Sequence, residues 1–127
     1  MIIADSDVLI DYLRSRDPWT VQVRALIRSG EICTTSVTRY EIMSGIGNER
    51  QAEGARNLFA GIPTLILDGE SADRAALVRR GLESKGLAIG MADSLVAGIA
   101  LTANWALLTR NRRHFERVEG LMLAPLA

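Results

Sequence analysis

Asp5, Glu41 and Asp93 are carboxylates whose surroundings in the sequence offer each of them little to pair with. Asp5 closes the apolar run Ile2-Ile3-Ala4. Asp is a common helix N-cap, but Ser6 and Asp7 are equally able to cap the helix expected after this run, which leaves Asp5 without a necessary structural task. Asp93 is the single charged residue between Lys85 and Arg110, on a segment whose other positions are mostly small and apolar. Desolvating such a carboxylate is costly unless something pairs with it, hydrogen-bonds to it or binds to it as a metal. The bland alternative is a favourable helix dipole, worth about 0.3–1 kcal/mol at an exposed site. Glu41 lies in Ser36-Val37-Thr38-Arg39-Tyr40-Glu41-Ile42. Alone it reads as a solvated helix glutamate, although Tyr40, Ile42 and Met43 do not make a solvent face. Thr109-Arg110-Asn111 comes directly after the apolar run Ala106-Leu107-Leu108, so Asn111 can bring a side-chain oxygen to a strand end as Asp5 does. Converging acids without matching bases repel one another unless a cation lies between them, and hard divalent ions take oxygen ligands. That pattern points to Mg2+ or Mn2+. Such an ion, with waters retained, generates a hydroxide-like nucleophile and stabilises charge on a phosphoryl oxygen.

The elements that must position these residues are set by hydrophobic spacing. Ile2-Ile3-Ala4 predicts a strand, and Val8, Leu9, Ile10, Tyr12 and Leu13 predict a helix starting near Asp7. Pro18 opens a second helix that stops at Gly30, as expected of helix ends. Glu31 to Thr34 reads as the second strand, and a third helix runs from Thr35 or Ser36 to around Gly45-Ile46-Gly47. A helix over Glu49 to Phe59 precedes a third strand, Thr64 to Leu67, closed by the turn dipeptide Asp68-Gly69. Ser71 to Lys85 and Met91 to Ala103 are helical, Ala106-Leu107-Leu108 is strand four, and Leu121-Met122-Leu123 is a candidate fifth. Strands that alternate with helices predict an α/β fold, a parallel sheet of four to five strands covered on both faces. Ligands of such sheets bind beyond the carboxyl ends of the strands, where Asp5 and Thr109-Arg110-Asn111 fall.

The composition bounds what the chain can do. It has 127 residues, 15 basic and 15 acidic groups, and a formal net charge of zero, which excludes a nucleic-acid binder that works by bulk positive charge. Apolar residues make up 48% and charged residues 24%, a globular composition with no repeat or linker to divide it, so residues 1–127 read as one domain. Lys85 is the only lysine; the other cations are Arg, whose planar fork suits phosphate. The single cysteine, Cys33, reads as a small buried hydrophobe on a strand. With no internal disulfide possible, no basic leader and no uninterrupted apolar span, a reduced, cytoplasmic protein is expected, without a membrane segment.

Taken together, the motifs resemble the PIN-domain ribonucleases of the VapC toxin type. They are Ile3-Ala4-Asp5-Ser6-Asp7-Val8-Leu9-Ile10-Asp11, Ser36-Val37-Thr38-Arg39-Tyr40-Glu41-Ile42, Gly90-Met91-Ala92-Asp93-Ser94-Leu95-Val96-Ala97 and Leu107-Leu108-Thr109-Arg110-Asn111-Arg112-Arg113-His114-Phe115. The likeness covers nearly the whole chain. It implies metal-dependent cleavage of RNA with Asp5, Glu41 and Asp93 as the catalytic and metal-binding set, Asp5 and Asp93 as direct ligands and Glu41 acting through water or as a base. It also implies a homodimer and a small VapB-like antitoxin as partner. Two departures stand out. Asp7 replaces the family's frequent Asn, and a helix-capping role is expected of it. Asn111 stands where many relatives carry a fourth acid, so a single tightly bound ion is expected rather than two.

Other residues rank lower. Thr109 joins Asp7 and Asn111 as a candidate at the site's margin, and Arg110, Arg112, Arg113 and Arg117 are candidates to track an RNA backbone, with Arg14 and Arg16 behind them. His114, beside Phe115, reads as a packing or surface residue. The first motif also fits a haloacid-dehalogenase-like phosphatase with Asp5 as nucleophile and Asp7 as general acid, but the later acid pair of that family has no counterpart here, and Lys85 ends a helix. A PIN-like domain that binds RNA or protein without cutting is the other rival.

Overall fold

The computed structural model describes residues 1–126. β1 (Ile2–Ala4) leads into α1 (Ser6–Leu13), then α2 (Trp19–Ser29), β2 (Ile32–Thr35), α3 (Ser36–Ser44), α4 (Glu49–Gly61) and β3 (Thr64–Leu65). The second half comprises α5 (Gly69–Ser84), α6 (Met91–Ala103), β4 (Ala106–Leu108) and the short α7 (Arg112–Phe115). The four strands form one parallel sheet in the order β3-β2-β1-β4. The chain therefore builds outward from β1 through β2 to β3, then returns to the other side of β1. The strand order reverses between β1 and β4, the place where open α/β sheets form ligand crevices.

Residues that sit side by side in the sheet divide by parity between two cores. Ala4, Ile32 and Leu108 join Val8, Leu9, Val23, Phe59 and Leu58 on one face. Ile3, Cys33 and Leu107, which share a register, join Val96, Ala97, Ala100 and Phe115 on the other. Both faces are thus covered by helices, which is why the strands are apolar throughout. Cys33 is fully buried, as its sequence context predicts. No described helix is long and apolar enough to cross a membrane.

Two strand expectations are corrected. β3 ends at Leu65 rather than Leu67, because the Leu67 amide donates to Ser36 Oγ at 3.1 Å instead of continuing the ladder. Leu121–Leu123 is no fifth strand: a single parallel bridge joins Leu107 to Leu123. The Ala124 carbonyl that would extend it accepts from Arg112 Nη1 at 2.9 Å instead. Asp68 is no turn residue either; it is the N-cap of α5, accepting from the Ser71 amide at 2.8 Å. That bond holds the Asp68 carboxyl below its ordinary pKa.

α5 and α6 pack backbone to side chain at Gly98. A Cβ there would stand 2.5 Å from the Ser71 carbonyl oxygen and 2.6 Å from Ala75 Cβ, closer than atoms can approach. The helices can only separate to relieve the clash, and the core beneath them would loosen. Gly98→Ala should therefore destabilise the fold by about 1–3 kcal/mol despite the better helix propensity of Ala, measurable as a lower midpoint in urea denaturation.

Candidate active site

The carboxyl ends of β1 and β4 are tied together first by backbone, with the Asp5 amide donating to the Leu108 carbonyl at 2.9 Å, and then by side chains. Asp5 is the N-cap of α1, its Oδ1 accepting from the Ser6 amide at 2.9 Å. The structural task that the sequence assigned to Asp7 or Ser6 thus belongs to Asp5 itself. Its other oxygen accepts from the Thr109 hydroxyl at 2.8 Å. Thr109 is fully buried, and its Oγ1 in turn accepts from the Asn111 amide at 3.0 Å.

Asp7 does not cap. It lies in the first turn of α1, where its Oδ2 accepts from the Arg110 amide at 3.1 Å and stands 3.4 Å from Thr109 Oγ1. Its Oδ1 is buried with no hydrogen-bond partner among the described residues. An orphaned carboxylate oxygen is expensive to keep, and here it belongs to a group of acids at one strand edge. Burial, then the neighbouring charge of Asp7 and more weakly that of Asp93, push the Asp5 carboxyl up to about 7, against the opposing hydrogen bonds from Thr109 and Ser6.

Asp93 occupies the first turn of α6, whose N-cap is Gly90 at a φ of +90°, a conformation that disfavours side chains. Its Oδ2 accepts from Asn111 Nδ2 at 3.1 Å and lies 2.9 Å from His114 Nδ1. Two expectations are corrected here. Asn111 turns its amide nitrogen to Asp93 rather than an oxygen, and His114 is no mere packing or surface residue, because α7 carries it to Asp93 together with Asn111. The detectable signal was the Asn111-x-x-His114 spacing, one helical turn, in a segment that reads from composition as a loop. Glu41 projects from α3. Burial and then the Asp93 charge raise its carboxyl, with Asp7 adding to this and the Ser6 hydroxyl opposing it. The four acids therefore sense one another, although among the described residues no three His, Cys, Asp or Glu side chains are gathered tightly enough to hold an ion as they stand.

The basic run does not form one face. Arg112 bonds the Ala124 carbonyl, and Arg117 Nη1 reaches the Leu87 and Ala88 carbonyls at 3.4 and 3.3 Å. Lys85, which a dehalogenase-like phosphatase would need beside Asp5, is the exposed C-cap of α5. Residues 2–121 match the family model for the PIN domain. The chain belongs to the PIN-domain family.

This PIN domain is 30% identical over 119 residues to ribonuclease VapC1 of Methanocaldococcus jannaschii, covering 93% of this chain and 81% of the relative. It is 29% identical over 121 residues to the tRNA(fMet)-specific endonuclease VapC of Shigella flexneri, covering 92% and 91%. Among solved structures, DNA-bound VapBC of Salmonella typhimurium aligns with a TM-score of 0.87 at 24% identity over 97% of this chain and 96% of that one. VapBC2 of Rickettsia felis, bound to a fragment of promoter DNA, aligns at 0.85 with 21% identity over the full length of both. At such identities the structures establish the shared fold.

The raised Asp5 carboxyl has a thermodynamic consequence for the metal-free PIN domain. The folded state binds a proton that the unfolded state releases near pH 4, so this group's contribution favours folding least above pH 7 and improves as pH falls toward 4. Asp5→Asn removes the buried like charge while keeping a capping oxygen. In chelator at pH 8 it should stabilise the protein by about 1–3 kcal/mol, with the gain shrinking toward pH 4–5 in thermal melts.

Proposed function

We propose that this chain is a divalent-metal-dependent endoribonuclease toxin, a cytoplasmic PIN domain spanning residues 1–127 and restrained by a small VapB-like antitoxin. The observation that carries the reading is the gathering of Asp5, Asp7, Glu41 and Asp93 at the β1–β4 switch, among the described residues without a Lys or Arg ion pair to any of them, with Asp5 raised to about 7 and Asp7 Oδ1 left without a partner. Oxygen donors and surplus charge fit Mg2+ or Mn2+. Family membership and the names of the relatives support RNA as the substrate.

Asp5 and Asp93 would hold the ion directly, with Glu41 through water. When bound, the ion lowers the pKa of a coordinated water and offsets charge on the phosphoryl oxygens. The chain's own residues supply the rest. Thr109 fixes the Asp5 carboxylate by its 2.8 Å hydrogen bond, and Asn111 and His114 fix Asp93 from the other side. Glu41, its carboxyl raised by burial and the Asp93 charge, is suited to take the proton of the attacking water as the new P–O bond forms and the ester P–O bond breaks. Thr109 and Asn111 belong to this set as positioning groups, and Asp7 as the further acid. Of the four arginines after β4, Arg110 and Arg113 are the ones whose guanidinium ends are not occupied by main-chain carbonyls among the described residues.

A homodimer accords with the surface beside Glu41. Ser36, Val37, Tyr40, Glu41, Leu67 and Met91 line a hollow of about 390 Å³, and of these Tyr40 and Met91 are 71% and 64% exposed. So much exposed apolar surface in one place is characteristic of a face covered by another protein.

Digestion of total RNA tests the reading. Wild type with Mg2+ or Mn2+ should cleave RNA, EDTA should abolish cleavage, and Asp93→Asn should lower it by at least about 100-fold, as loss of an essential metal-site carboxylate does. Equal cleavage by wild type and Asp93→Asn would refute it, and binding without cleavage in both would favour a non-cutting RNA-binding domain.

A further inference from the structure

Asp11 is a buried carboxylate that the proposed chemistry leaves without a role. It sits on α1 one turn beyond Asp7, at 4% exposure, where a charge must be compensated. Two arginines do this. Arg16 Nη1 donates to Asp11 Oδ1 at 3.4 Å, and Arg110 Nε stands 3.0 Å from Oδ2. Arg110 is therefore held on α1 at two points, its amide by Asp7 and its guanidinium by Asp11. Its side chain remains 51% exposed, and among the described residues Nη1 and Nη2 make no hydrogen bond within the chain. Those two groups carry most of the planar donor fork that suits a phosphate.

We infer that Asp11 is a positioning residue that aims Arg110 as a phosphate-binding arm for the nucleotide next to the cleaved bond. This deepens the ribonuclease reading and rests on it. Asp7 faces the site and Asp11 lies four residues along the same helix, about 6 Å at 1.5 Å per residue, comparable with the step between successive phosphates of a single strand. An arginine restrained by an ion pair loses less side-chain freedom on binding than a free one, so the pairing improves affinity without touching the reacting atoms. Arg16, beyond the end of α1, neutralises the other oxygen of Asp11.

Simple electrostatics and positioning predict opposite outcomes for Asp11→Asn. Removing a negative charge should tighten RNA binding if only net charge matters. Releasing the arm should weaken it. The experiment measures binding of a fluorescent single-stranded RNA in EDTA, by anisotropy over a salt series, and steady-state cleavage in Mg2+. It compares wild type, Asp11→Asn and Arg110→Gln. Arg110→Gln should lower the slope of log K against log salt by about 0.7, the contribution of one phosphate contact on a single strand. Both Asp11→Asn and Arg110→Gln should weaken binding about three- to tenfold and raise KM similarly with kcat within about twofold. If Asp11→Asn does not fold, Asp11→Glu, which keeps the charge but displaces the guanidinium, carries the same expectation. Asp11→Asn binding as tightly as wild type or tighter, or an unchanged salt slope in Arg110→Gln, overturns the inference and leaves the ribonuclease reading standing. The expected slope loss on RNA that is never cut would do the reverse.

Discussion

The hydrogen bond from the Thr109 hydroxyl to Asp5 joins the two strand ends on which everything else in this molecule converges. β1 and β4 are neighbours in space but lie at opposite ends of the chain, and the crevice between them exists only because the strand order reverses there. Thr109 is wholly buried and serves both directions, donating to Asp5 and accepting from the Asn111 amide. Through Asn111 the same chain of bonds reaches Asp93 on α6, and through the adjacent Arg110 amide it reaches Asp7 on α1. A small set of polar contacts thus registers β1, β4, α1 and α6 against one another, and the two apolar cores on either side of the sheet hold that register rigid.

This arrangement works against the stability of the metal-free fold. Like charges are held close at a site removed from water, and the raised carboxyls of Asp5 and Glu41 are the visible cost. Such frustration is expected where function needs charge that folding does not, and a bound cation is the natural relief. The zero net charge acquires a spatial meaning: acids gather at the sheet edge, while most of the arginine run after β4 is engaged with the protein itself.

Much of this was legible in the residues. The apolar runs, the caps at Pro18 and Gly30, and the alternation of strand and helix lead directly to the parallel sheet, because parity and periodicity are local properties. Asp5 and Asp93 stood out because nothing in sequence balanced them. What escaped was tertiary. Which of Asp5, Ser6 and Asp7 caps α1 depends on where Thr109 and the Arg110 amide arrive from the far end of the chain. Leu121–Leu123 has the composition of a strand, but Arg112 takes the carbonyl that would have extended it. His114 looked like surface because the helix that carries it to Asp93 is only one turn long.

The central claim, that the acids at the β1–β4 switch form one divalent-ion site, is tested most directly by calorimetric titration of Mn2+ into the metal-free protein at pH 7.5. Wild type should show a single tight site per chain, lost in Asp5→Asn and in Asp93→Asn although both variants remain folded. Undiminished binding in those variants would contradict it.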